Sequence, residues 1–288
     1  MTTTIVPTPT ATIPLTATLE SPFHHGAGSS GNTSLLRTQD VVQPDGAVAR
    51  VPFLSAASVR HGLRDALAWH LARTLPIEEG SLPKTAVDLL WTGGAVTSTG
   101  AVTDLEMARR VENVLPMLGL LGYAAQSSIV TGTLRASDLI LVCAENDARL
   151  PAELRGARRA ATYRGEEFGT RHDQADSPIG RYIDAAGGGD TAQMIWDTQV
   201  VITGARLHGE LSLTPAATEA HRMVLGAALW AWAPGGRVML GAKTGQGFGR
   251  ATITGPDWVW CRQQHEVWTE HVREHADAIR DLIADLSR

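Results

Sequence analysis

A strand, a helix, two strands, a second helix and a last strand follow one another in this 288-residue chain, once two long irregular stretches are set aside. That β-α-β-β-α-β order predicts an α+β fold of ferredoxin-like or RNA-recognition (RRM) type, one sheet backed by two helices. Three observations carry it. Ile13, Leu15, Ala17 and Leu19 alternate with threonines and Glu20, as a half-buried strand does. Val59, Leu63, Ala66, Leu67 and Leu71 recur at helical spacing. A second helical run, opened by Pro215 and closed by Pro234-Gly235-Gly236, sits between strand-like segments.

The elements follow in order. After the first strand comes a Gly/Ser-rich loop, His24 to Thr33. Val51 to Leu54 then reads as a short strand running into a helix from about Ala56 to Arg73. Ser55 or Ser58 is a natural N-cap, because a hydroxyl accepts from an orphan N–H of the first turn. Residues 76–125 form a helix-prone insertion with Gly and Pro breaks, and Ser128 to Val142 is β-rich. A polar, Gly- and Arg-containing segment over about 155–195 is a second insertion, too long and too unpatterned for an ordinary loop. Trp196 to Leu213 reads as two strands turning near Thr203-Gly204, and Arg237–Leu240 and Ala251–Trp260 as two more around a glycine loop. A C-terminal amphipathic helix is expected within 263–288. The whole of 1–288 reads as one domain.

Composition excludes several classes. Hydrophobic residues make up 43%, ample for a core, and the two cysteines define neither a disulfide framework nor a metal site. A reducing cytoplasm fits that usage. No signal-peptide pattern opens the chain, and the longest apolar run, Met223 to Ala233, is too short to span a bilayer. Net charge is −5, so bulk charge does not hold the chain to nucleic acid.

Two constellations invite anion chemistry. Arg60 and Arg64 lie one turn apart near the start of the first helix, where the macrodipole disfavours cations. An anion held jointly by free N–H groups, serine hydroxyls and both guanidiniums would stabilise that placement. Gly241 to Gly249 surrounds Lys243 and Gln246 with glycine, but Ala242 stands where a Walker loop needs Gly, and a strand rather than a helix follows. What remains is a strand–loop–strand whose N–H groups are placed to nest phosphate oxygens.

These pieces, in this order, resemble the backbone subunit of CRISPR ribonucleoprotein effectors, the Cas seven family of the RAMP superfamily. His25-Gly26 through Arg37 looks like that family's first loop, and Val51 through Arg64 like its I-P-G-S-S-L-[KR]-G-x-x-R element. Met194 through Leu213 looks like the β-hairpin after its thumb, and Gly241 to Gly249 like its glycine loop. The Leu115 to Cys143 stretch is most similar to type IV systems. The resemblance implies an RRM-type palm, a helical finger over 76–125 and a Gly/Arg-rich thumb over 155–195. It implies partners too: a guide RNA (crRNA), further copies of the chain in a helical filament, other effector subunits, and a target nucleic acid paired to the guide. No cofactor, metal or membrane is implied.

RNA contacts are then expected from His25, Ser29, Ser30, Asn32 and Arg37 of the first loop, and from Ser55, Ser58, Arg60 and Arg64 around the helix start. Arg164, Arg171, Arg181 and Met194 would contribute from the thumb, and Lys243, Gln246 and Phe248 from the glycine loop. Three departures matter. Ala56-Ala57 replaces a Gly-Ser pair, His61 stands where Gly is common, and Asn32 occupies the place where relatives that cut target RNA carry Asp. The chain is therefore expected to be non-catalytic. One alternative is a RAMP-type RNA endonuclease using His24 or His25 as base. Another is a zinc hydrolase using His271 and His275, from the H-x-x-E-H order of His271 to His275.

Overall fold

In a computed structural model of the chain, residues 12–96, 104–171 and 194–288 are described. The first half contains β1 (Thr12–Leu19), β2 (Gly26–Ser30), β3 (Thr33–Leu36), β4 (Thr38–Val42), β5 (Val48–Leu54) and α1 (Ala56–Thr74). A helical lobe follows: α2 (Lys84–Val87) with a π-helical turn Asp88–Thr92, then α3 (Leu105–Val114) and α4 (Pro116–Leu121). Four short strands come next, β6 (Tyr123–Ala125), β7 (Ser128–Val130), β8 (Leu134–Ala136) and β9 (Leu139–Leu141). The remainder is β10 (Arg164–Arg171), β11 (Met194–Val201), β12 (Arg206–Leu213), α5 (Glu219–Trp232), β13 (Arg237–Met239), β14 (Arg250–Thr254), α6 (Trp258–Glu274) and α7 (Ala276–Leu286).

The fold is mixed α+β, as expected. Its main sheet runs β13-β14-β1-β12-β9-β5-β4, with β8 also on β12, and its neighbours pair antiparallel. Ile13, Leu15, Ala17 and Leu19 all face the core, so the period-two pattern of β1 is realised. α1 and α5 pack on each other, and α6 packs on α5. Val59, Leu63, Leu67 and Leu71 of α1 are fully buried, each stabilising by roughly 1.5–3 kcal/mol. A smaller cluster of Ile140, Val142, Leu150 and Leu154 lies apart from the main core. It explains why every residue of β9 is buried, odd and even alike.

Several boundaries differ from the sequence reading, each for a local reason. Met194–Leu213 is not a hairpin. β11 pairs with β10 over eight residue pairs, Arg164↔Val201 to Arg171↔Met194, and β12 instead enters the main sheet beside β1. The chain changes sheets at Ile202–Ala205, where Gly204 (φ 85°) donates to Leu19 O and the Leu19 amide donates to Ala205 O. α5 starts at Glu219, after Pro215, because Thr218 caps it: its hydroxyl accepts from the His221 amide and His221 Nδ1 accepts from the Thr218 amide. The last strand stops at Thr254. Asp257 Oδ1 accepts from the amides of Val259 and Trp260, so Trp258–Trp260 is the first turn of α6. The expected C-terminal helix is thus two helices, broken at His275.

α1 and α6 meet through imidazoles. The His70 and His265 rings lie 4.2 Å apart, and His70 Nε2 is 3.1 Å from Thr269 Oγ1. Burial, then His265, Arg273 and Arg73, push His70 down to about 4. An unfolded histidine takes its proton near pH 6.5, so folding favours the neutral ring. That stabilisation is complete above pH 6.5 and is lost as pH falls toward 4. Urea unfolding should therefore show stability dropping between pH 6.5 and 4, with a shallower drop in His70→Gln. Identical pH profiles for the two proteins would remove His70 as a cause.

Candidate nucleic-acid interface

A cavity of 1170 Å³ forms a groove between α1, the end of α5 and the edge strand β13. The α1 wall is a stripe at four-residue spacing, Ala57, His61, Asp65, Trp69 and Arg73, which is the outward face of the helix. The opposite wall is Arg237 to Ala242, with Thr244 and Arg250, and His25 and Gly26 close one end. Trp232 lies flat on Gly62; a Cβ there would stand 2.5 Å from the indole Nε1, so only glycine admits the ring. Among the charged lining residues Arg73, Arg237 and Arg250 stand against Asp65. The groove is basic in an acidic chain.

The expected site residues divide into three groups. Ser58 and His25 do line the groove. Burial, then Arg37 and His24, lower the pKa of His25, so it enters as a neutral ring, set edge-on to Phe53 at 6.0 Å. Ser55 caps α1 as expected, its Oγ accepting from the Ser58 amide at 3.3 Å.

A second group lies on a four-stranded sheet ordered β10-β11-β3-β2. Ser29, Ser30 and Asn32 are exposed at its β2–β3 turn, and Arg37 Nε donates to Gly26 O at 3.2 Å. Arg164 is exposed at the base of the β10–β11 ribbon, donating to Arg50 O, and Arg171↔Met194 is the last pair of that ribbon. Arg181 lies outside the described residues. The ribbon also exposes Phe168, and lays Trp196 across Gly169, where a Cβ would stand 2.4 Å from the indole.

The third group is placed otherwise than the sequence suggested. Arg64 is buried, and its Nη2 donates to Leu121 O at 3.0 Å and Gly122 O at 2.6 Å. Arg60 donates to Leu121 O at 2.6 Å and to Leu134 O. Both guanidiniums thus donate to carbonyls at the C-terminal end of α4, which carry partial negative charge, and Arg60 also to Leu134 O. Desolvation, with Arg60 close by, lowers Arg64 to about 10, and it stays a cation at neutral pH.

The glycine loop engages several of its own amides within the protein. Ala242 and Gly249 donate to His24 O and Pro22 O, while Gln246, Gly247 and Phe248 donate to carbonyls within the loop. Lys243 Nζ donates to Ser34 Oγ at 2.8 Å and Thr198 Oγ1 at 2.5 Å, pinning the loop to the second sheet. Gln246 is exposed and Phe248 half-buried at its rim.

Of the histidines named for the catalytic alternatives, His25 lines the groove and the others bond within the protein. His24 is buried, with Nδ1 donating to Gln199 O at 2.8 Å. His271 Nε2 donates to Val114 O and His275 Nδ1 to His271 O, and the two rings stack at 4.3 Å. Among the described residues no group of three His, Cys, Asp or Glu side chains is placed to hold a metal.

Sequence reasoning missed Arg73, Arg237 and Arg250 as groove residues. Arg237 and Arg250 flank the glycine loop two residues out of register on paired strands, and Arg73 lies three four-residue steps beyond His61 on α1. It also missed Asp197, which arrives from β11 beside the loop tip. Thr33 Oγ1 donates to Asp197 Oδ1 at 2.6 Å, and the Asp197 amide donates to Asn32 O at 3.3 Å.

Known proteins can be set beside this geometry. No protein-family model and no curated protein matches the sequence. Among solved structures, a chain of a "Type IV-B CRISPR Complex" superposes with a TM-score of 0.56 at 20% identity, over 85% of this chain and 90% of that one. This chain shares that fold. That neighbour comes from a type IV CRISPR complex, the kind of system the sequence motifs resemble. Among the described residues no helix is long and apolar enough to cross a membrane.

Arg64→Ala would leave the Gly122 carbonyl without its charged donor in a buried place, and the Leu121 carbonyl with Arg60 alone. Unfolding free energy should fall by roughly 2–4 kcal/mol in denaturant titration. A variant as stable as the parent, with only RNA affinity reduced, would return Arg64 to the phosphate-binding role.

Proposed function

We propose that this chain is the guide-RNA-binding backbone subunit of a type IV CRISPR ribonucleoprotein, working in the cytoplasm without catalysis of its own. One observation carries the reading: an acidic protein concentrates Arg73, Arg237 and Arg250 along one groove beside the motif-bearing helix α1. The shared fold with a chain of a type IV-B CRISPR complex supports it independently. In this reading the order β14-β1-β12-β9, with α1 and α5 packed together, is the RRM-type palm. The lobe of α2 to α4 is the finger, and the β10–β11 ribbon is the base of the thumb.

The chemistry suits a scaffold. Arginine forks and hydroxyls hold phosphates and carry no base information, which leaves base edges free to pair. Copies assemble along the guide, other subunits join the filament, and the guide selects the target nucleic acid. Neutral His25 and the amide of Asn32 offer neither a cation nor a carboxylate at the first loop. Asp197 is engaged by Thr33.

Purified protein should carry RNA of defined length. Arg237→Ala and Arg250→Ala should each weaken binding to any sequence alike and reduce the slope of log K against log salt by about 1. A sequence-selective loss, or no change in slope, would oppose the scaffold. With complementary RNA and magnesium or manganese, the assembled complex should bind its target without cutting it. Cleavage abolished by His25→Ala would favour the endonuclease instead, and cleavage abolished by Asp197→Asn would place the missing carboxylate on β11.

A further inference from the structure

Trp69 sits on the groove wall with 49% of its surface exposed, on a helix whose other large apolar residues are buried. Its neighbour Trp91, from the turn after α2, is half-buried and packs against the main core. The two indoles meet nearly at right angles, with centroids 5.4 Å apart and planes at 80°, so a core-anchored ring fixes the orientation of an exposed one. Over the Trp69 ring stands the exposed guanidinium of Arg73, 5.8 Å from the centroid. Such a face is occupied by a planar cation on a long, mobile stem.

We propose that Trp69 is a stacking platform for an unpaired base of the RNA in this groove, a contact that rests on the RNA-binding reading above. A base entering over the indole takes the place of the Arg73 guanidinium, which is then free to meet an adjacent phosphate. The distance fits: Ala57 to Arg73 spans about 24 Å at 1.5 Å per residue, enough for several nucleotides. Charge fits as well, since Arg73, Arg237 and Arg250 outnumber Asp65 along the same path. Stacking is sequence-tolerant because every base has a π-face, so the platform adds affinity without restricting the guide.

The test compares two fluorescent oligomers of equal length and short enough for one protomer, oligouridine and its abasic counterpart, by anisotropy. Trp69→Ala should weaken oligouridine binding roughly 5- to 150-fold, leave the abasic oligomer unaffected and keep the salt slope unchanged. Trp69→Phe should recover most of the loss, which a merely structural role would not require. Arg237→Ala should instead weaken both oligomers. Equal oligouridine affinity for Trp69→Ala and the parent would overturn the platform, as would an equal loss on the abasic oligomer. A loss of self-association with intact oligouridine affinity would overturn it too. Failure of the parent protein to bind either oligomer would defeat the RNA-binding reading itself.

Discussion

Two guanidiniums hold the helical lobe to the rest of the fold. The C-terminus of α4 presents carbonyls with no intrahelical partner, and burying them unpaired would cost about 1–3 kcal/mol each. Arg64 and Arg60 reach them from α1, and Arg60 extends to the Leu134 carbonyl at the start of β8. Lobe, helix and sheet are thus tied at one place. The Trp91 turn and the outward face of α1, which form the aromatic corner and the groove wall, meet on the same helix, where Leu89 and Leu90 join the buried cluster of Val59, Leu63 and Leu67.

A second tie sets the opposite wall. The glycine loop folds back on residues 22–24 through Ala242 and Gly249, and Lys243 reaches across to β3 and β11. Gly241 can approach because it has no Cβ, which would stand 2.3 Å from His24 O, and its φ of 77° suits glycine. The loop therefore acts as a rigid bracket. Cationic charge lies on either side of it, at Arg237 and at Arg250, which pairs with Glu20 at 3.6 Å.

The change of sheets at Ile202–Ala205 gives the molecule two working surfaces. β12 completes the main sheet beside β1, while β10 and β11 leave it as a ribbon alongside β2 and β3. That arrangement brings the tip of the first loop against Asp197, more than 160 residues away in sequence. Ribbon and groove share the His24–Gly26 segment: His24 bonds to Gln199 of β11, and His25 and Gly26 line the groove.

The sequence by itself determined the α+β class, the alternation of β1, the apolar stripe and serine cap of α1, and the strand–loop–strand around the glycines. Each is a local pattern whose period or cap chemistry depends on neighbours a few residues away. Tertiary structure decided what the charged side chains do. Arg60, Arg64 and Lys243 looked free because their partners, Leu121, Gly122, Leu134, Ser34 and Thr198, lie far off in the chain. Arg73, Arg237 and Arg250 looked ordinary because a groove exists only once helix and edge strand face each other. Pairing was equally hidden: β11 and β12 are adjacent in sequence and strand-like in pattern, yet long-range registers with β10 and β1 separate them. A hydroxyl or guanidinium carries the same short-range signature whether it will meet a backbone carbonyl or a phosphate, and only packing selects between them.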